Sequence, residues 1–200
     1  MPSIASLEQY NNAKIILSSP NDDLYTPDQM QEFLDYASDF LETMAYQALR
    51  ETEQTETYLL GTMYCSQDPQ GRINIFPRYF PVSTVTSVTY QLSPGGTENT
   101  VDTDGYSVIP GGVGVGPRIL LPYLTFSRGA FVLFNVDYTS GYSTATMPGD
   151  LVYACCLVAA YFASAGYRAA TIQQEDVAQV LPSWAWKKVQ EIVSKYGRQF

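Results

Sequence analysis

Any catalytic chemistry in this chain would have to work without histidine, which is absent from its 200 residues. A Ser or Cys nucleophile therefore lacks its usual imidazole base. A Ser–Lys dyad would have to draw on Lys14, Lys187, Lys188 or Lys195, all outside the middle of the chain where strand patterns concentrate. The run Pro110-Gly-Gly-Val-Gly-Val-Gly-Pro117 lacks the Gly-Lys-Ser/Thr ending that holds phosphates and does not fit the dinucleotide fingerprint. It is expected to be a hairpin tip. Asp102-Thr-Asp104-Gly105 opens like a calcium loop, but the twelfth position, where such loops carry an acid, is Val113. A turn capped by Asp side chains is the expectation there. Cys65, Cys155 and Cys156 make no disulfide framework, and without His they offer no zinc-ligand set. The adjacent pair falls in an apolar helical run, where free Cys behaves as a small hydrophobe, and the usage fits a reducing compartment. Paired carboxylates of the glycosidase kind depend on separation in space, which spacing along the chain does not give. The expectation is a protein with no catalytic residue, no metal ligand and no cofactor.

Contact chemistry is better represented. Trp184 and Trp186 lie beside Lys187 and Lys188, with Arg198 and Phe200 closing the chain. Alternate positions on a helix face different ways, so one Trp is expected to pack inward and the other to face out. Anchor tryptophans are typical of binding hot spots. The same helix would equally serve to close its own core. The net charge of −9 is uneven: residues 22–56 hold ten Asp/Glu against Arg50, and residues 168–200 hold five Lys/Arg against three Asp/Glu. Gripping nucleic acid needs the opposite overall balance, because affinity comes from Lys and Arg neutralising phosphates. The acidic stretch reads as a solvated helix face.

The elements that must position these residues are legible from period. Ser6 and Gln9 can form a capping box for a short helix through Leu17, ended by Ser18-Ser19-Pro20. Thr26 can cap a longer helix, with Pro27 at its first position and Asp28 at its positive end. Met30, Phe33, Leu34, Ala37, Phe40, Leu41, Met44 and Ala48 recur at three and four, which predicts helix from Pro27 to about Arg50, with Asp35, Asp39 and Glu42 outward.

The period then becomes two. Glu56–Tyr64 and Arg72–Phe76 are predicted to pair as a hairpin around Gln67–Gly71. Val82, Thr84, Thr86, Val88 and Tyr90 are predicted to share one strand face, followed by a turn at Ser93–Gly96. Tyr106–Ile109, Arg118–Leu121 and Phe131–Tyr138 complete six or so strands, a small sandwich or open barrel. Val132, Phe134, Val136 and Tyr138 should face one way.

Pro148 opens a helix with Asp150 in its first turn, apolar on nearly every face through Ala165 and ended by Gly166. Its surroundings are expected to be the first long helix on one side and subunit neighbours on others. The uncharged run Leu151–Tyr167 falls short of the roughly 20 strongly apolar residues that cross a membrane. The N-terminus shows no basic segment followed by an apolar one, so no signal peptide is expected. A polar linker from Arg168 leads to Pro182 and a last helix, Ser183 to about Gly197, with Ala185, Val189, Ile192, Val193 and Tyr196 as its apolar stripe. The fold class is therefore α+β: a helical core from 1–50 and 148–167, a β-rich insertion over 51–147, and a C-terminal segment over 168–200, all within one domain.

Taken in order, Pro81-Val, the β-branched strand to Tyr90, Asp137-Tyr-Thr-Ser-Gly-Tyr142 and Pro148-Gly-Asp-Leu151 resemble the head–tail connector (head-completion adaptor) proteins of tailed bacteriophages. The resemblance spans roughly residues 24–167. It implies a structural virion protein of the head–tail neck, assembled in the host cytoplasm. It implies a homo-oligomeric ring, twelvefold in the family, docked on the portal protein and offering a surface to the next neck, stopper or tail protein. DNA would pass through its channel without specific binding, and no membrane is involved. It also implies that the C-terminal segment reaches toward the portal. The segment's excess positive charge, its polar linker and its Trp-bearing helix independently give the expectation that residues from about Thr171 to Phe200 dock on the portal, an apolar helix face lying in a partner's groove and Lys/Arg meeting acids at the rim. The alternative is a tail or baseplate β-sandwich that uses its tyrosines to bind a carbohydrate or another virion protein. A hydrolase built on acid pairs is a third possibility.

Overall fold

The computed structural model describes residues 2–17, 25–110, 117–124, 126, 130–164 and 182–197. The chain divides into two compact units: Met1–Arg50 with Tyr142–Phe200, and Glu51–Gly141. The first is helical and the second is built of strands, so the α+β class holds.

Two capping boxes start the helical unit. Before α1 (Leu7–Leu17), the Gln9 N–H donates to Ser6 Oγ at 3.2 Å and the Ser6 N–H to Gln9 Oε1 at 2.8 Å. Before α2 (Pro27–Ala45), Thr26 and Gln29 repeat the exchange at 3.3 and 2.9 Å. Each box satisfies two otherwise unpaired N–H groups. The expected extension of α2 to Arg50 is corrected: the helix ends at Ala45, and Tyr46 takes the left-handed conformation at φ 53°. The cause is Glu42. Its Oε1 accepts the backbone N–H groups of Leu49 and Arg50 at 2.9 and 2.8 Å, and Arg50 Nη2 lies 2.5 Å from both Glu42 Oε2 and Asp39 Oδ1. Glu42 thus turns back onto the chain rather than outward.

α3 (Gly149–Ser164) begins as expected, with the Val152 N–H donating to the Pro148 carbonyl at 3.1 Å. Leu151, Ala154 and the run from Cys155 to Ala159 are almost wholly buried, as are Phe162 and Ala163. The first long helix covers α3 as expected, and Val152, Tyr153 and Tyr161 are half-buried. The cover of α3 comes from α1, α2 and α4 (Ser183–Tyr196) of the same chain, in one cluster that includes Tyr10, Leu34, Leu41, Val189 and Ile192. Tyr25 fastens the end of α3 by donating from its hydroxyl to the Ala163 carbonyl at 2.8 Å. Gly166, the expected helix stop, and the glycine-rich tip at 111–116 lie outside the described residues. Among the described residues no helix is long and apolar enough to cross a membrane.

Among the described residues the β unit has eight strands rather than six or so, in two antiparallel sheets. One orders β1 (Thr52–Leu59), β8 (Leu133–Ser140), β4 (Val82–Gln91) and β5 (Asn99–Thr100). The other orders β2 (Cys65–Gln67), β3 (Arg72–Ile75), β7 (Arg118–Tyr123) and β6 (Ser107–Ile109). Their inner faces share one core containing Tyr58, Val88, Phe134, Val136 and Tyr138 from the first sheet and Ile73, Ile75, Ile119 and Leu121 from the second.

Strand 132–138 alternates as its sequence requires, with Val132, Phe134, Val136 and Tyr138 all buried. The predicted hairpin between 56–64 and 72–76 is corrected. β1 ends at Leu59 and pairs with β8 through Glu56↔Val136, and the short β2 makes the hairpin with β3. The predicted face of β4 is corrected too. Register shifts between Val82 and Thr84 and between Val85 and Ser87 leave Thr84 and Thr86 exposed and turn Val82, Val85 and Val88 inward. One extra residue in a strand reverses the facing of everything beyond it.

Candidate partner-binding surface

The residues expected to meet a partner are separated by α4 itself. Ala185, Val189, Ile192 and Val193 point into the helical core, and Trp186 follows them, its ring 6.1 Å from Phe40. Trp184 faces out, 58% exposed, with Lys187 and Lys188 exposed beside it. One tryptophan is therefore packing and the other surface, as the period predicts. Lys188 pairs with Glu191 at 3.2 Å and Lys195 with Asp150 at 3.6 Å, whereas Lys187 has no partner among the described residues. Arg198 and Phe200 lie outside the described residues. The expectation that α4 offers its apolar face to a partner's groove is corrected, since α2 and α3 already cover that face. What remains is the outward row of Trp184, Lys187, Lys188, Glu191 and Lys195.

The geometry that fixes this row was not legible beforehand. Asp150, in the first turn of α3, accepts the Tyr196 hydroxyl at 2.6 Å. The Tyr142 ring meets the Tyr196 ring edge-on at 6.0 Å, and Gln47 Nε2 donates to the Tyr196 carbonyl. Burial, then the Asp150 carboxylate, raises the Tyr196 hydroxyl above its ordinary titration range, so it stays a proton donor. Tyr142 and Asp150 belong to the two short motifs that carry the family resemblance. Their work here is to hold the end of α4.

A second charged row lies on α2. Asp28, Glu32, Asp35 and Asp39 are spaced by four, three and four, so they stack along one helix face away from the core. Asp39 is drawn to Arg50 and Asp35 accepts from Gln31 Nε2 at 3.0 Å, while Asp28 and Glu32 are exposed with no partner among the described residues.

In the β unit the polar groups that could do chemistry are tied into the framework. Glu56 sits beneath the ends of two tyrosines: its Oε2 accepts the Tyr58 hydroxyl, the Tyr138 hydroxyl at 2.5 Å and the Arg78 N–H at 3.2 Å. Burial and then this carboxylate raise both phenols far out of the neutral range. Asp137 accepts from Ser87 at 2.6 Å and Thr55 at 2.7 Å, and these hydroxyls hold its carboxyl below the ordinary range. The Gly141 N–H donates to the Pro81 carbonyl at 2.9 Å, with Gly141 at φ +92°. The Pro-Val and Ser-Gly elements of the motif series therefore meet at one point of the sheet.

The turn at Thr103–Gly105 is corrected. Asp102 makes no side-chain cap, and the Gly105 N–H closes the turn onto the Asp102 carbonyl at 2.8 Å. An open hollow of about 450 Å³ lies over this turn, with Tyr90 and Val101 in its lining and Asp102 and Asp104 beside them. All three cysteines are buried, and burial pushes their thiols up, Cys155 to about 11 and Cys65 and Cys156 to about 12, away from nucleophilic thiolate chemistry. Among the described residues no group of three or more His, Cys, Asp or Glu gathers in a way that could hold a metal.

No protein-family model matches the chain, and no curated protein matches it. Among solved structures, the chain is similar to one in the neck of an empty gene transfer agent particle computed with C6 symmetry. The TM-score is 0.48 at 20% identity, over 96% of this chain and 89% of that one. It is similar to a chain in the neck of the native particle computed with C12 symmetry, with TM-score 0.45 at 16% identity over 99% and 94%. A chain from the virion of a native gene transfer agent particle gives 0.46 at 17% over 90% and 82%. Likeness at this level leaves the functional reading to the residues.

Proposed function

We propose that this chain is a structural adaptor of a phage-type neck. In this reading it forms a ring, docks on the portal, continues the DNA channel and presents the surface on which the next neck, stopper or tail protein assembles. The observation that carries the reading is what the resembling residues do. Pro81 and Gly141 clasp strand ends within the β unit, and Tyr142 and Asp150 fix α4 within the helical unit. A motif series whose members hold an architecture together is what a family defined by its fold, not by a reaction, would keep.

The chemistry supports a non-enzymatic role. The chain has no His, its thiols are buried with raised pKa, and its phenols at Glu56 are locked as donors. Net charge −9 suits a component past which DNA slides rather than sticks.

The test is copurification of the full-length chain with a portal protein from the same genome. A stable complex with several copies of the chain per portal ring is expected. A chain that neither binds portal nor is found in purified particles would overturn the reading, and a glycan-array signal would move it to the carbohydrate-binding alternative.

A further inference from the structure

α4 leaves a tryptophan, and a lysine with no partner among the described residues, on its outer side, and the chain carries acidic side chains elsewhere. The outward row of α4 runs Trp184, Lys188, Glu191, Lys195, with Lys187 flanking. The outward row of α2 runs Asp28, Glu32, Asp35, Asp39 with the same four, three, four spacing. Two helix faces of equal period can lie along one another, and here Lys187 and Lys188 are opposite in sign to Asp28 and Glu32, while Glu191, held by Lys188 at 3.2 Å, is the one acid of the α4 row.

Within one chain the rows do not meet. α4 packs on the core side of α2, through Phe40 against Trp186 and Ala45 against Gly197, so the two outward rows belong to different parts of the surface. Their end residues show it: Lys187 on one row, and Asp28 and Glu32 on the other, lack partners among the described residues. A surface patch and its complement at two places on one molecule make a heterologous contact, and such contacts repeat head to tail and close into a ring when the rotation allows.

We infer that the Trp184–Lys187–Lys188 face of one copy seats on the Asp28–Glu32–Asp35 row of the next. Trp184 is the anchor, covering the apolar stems of the facing side chains, while the lysines meet carboxylates at the rim. This rests on the ring reading above and assigns its contact. It gives the face to a neighbouring copy rather than to the portal, because the acidic complement is present on this chain.

The experiment is a charge swap in the full-length chain, read by sedimentation velocity at low and high salt, with circular dichroism as the fold control. Wild type is expected to associate, and to dissociate as salt rises. Lys187→Glu with Lys188→Glu, and separately Asp28→Lys with Glu32→Lys, should each weaken association by about tenfold or more. The chain carrying all four substitutions should associate again. A wild type that stays monomeric at low salt, reversals without effect, or a swap that fails to restore association would each overturn the pairing. If the lysine reversals instead abolish copurification with portal and leave self-association intact, the face belongs to the portal contact. If wild type neither self-associates nor binds portal, the adaptor reading falls as well.

Discussion

Asp137 and Ala159 show how differently single residues are committed in the two units. Asp137 stands on the outer face of its sheet with a hydroxyl on each carboxylate oxygen, from Thr55 and Ser87, and its folded pKa lies below the ordinary 3.8. A carboxyl with a depressed folded pKa contributes stability above its ordinary pKa, and that contribution is lost as pH falls through the folded value. Asp137→Asn should therefore melt slightly below wild type at neutral pH and lose less on acidification. Solvent screening at this half-buried site keeps the difference below about 1 kcal/mol. Thermal melts across the acid range would show it, and parallel curves for the two proteins would remove Asp137 from the account. Ala159 is the opposite case, with no exposed surface inside the cluster of α1, α2, α3 and α4. Ala159→Asp buries an unpaired charge, which costs several kcal/mol, a large part of the roughly 5–15 kcal/mol that holds a domain together. The expected outcome is insoluble protein. A soluble variant with wild-type melting would mean that this side of α3 is open to water.

Among the elements, α4 is both surface and core. Val189, Ile192 and Val193 are buried beside Ala185, each large side chain worth about 1.5–3 kcal/mol. Truncation after Arg168 should therefore unfold the helical unit while the strands of Glu51–Gly141 retain their exchange protection. Hydrogen exchange by mass spectrometry distinguishes the units, and a truncated chain with α2 and α3 still protected would show that α4 is dispensable to the core. Asp150→Ala is the milder probe: it removes the Tyr196 hydrogen bond and should cost about 1–2 kcal/mol, read as faster exchange over 190–196 with little change elsewhere.

Much of this was legible in the residues. The capping pairs Ser6–Gln9 and Thr26–Gln29, the Pro148 helix start, the alternation of 132–138 and the division of the two tryptophans all follow from neighbours within one or two turns. What was not legible depends on distant partners. Glu42 stops α2 by taking N–H groups beyond its end. β1 finds β8 some eighty positions on, and two bulges refold the pattern of β4. Asp150 meets a tyrosine on another helix. Local period states which side of an element is apolar, but not what will cover it. That is why the contribution of α1 and α4 to the cover of α3 was not legible.

Across the chain as a whole, each unit has its own apolar core, and α2 and α4 carry charged outer faces. In the proposed adaptor each subunit would fold on its own helices and strands, and assembly would use surface rows whose attraction weakens as salt rises. The proposed neck role is tested by cryo-electron microscopy of whatever particles incorporate a tagged copy of this chain. The account predicts density for the chain as a ring between portal and tail, and filled heads without tails when its gene is deleted. Tag density at the baseplate or on tail fibres, with normal tail attachment in the deletion, would contradict it.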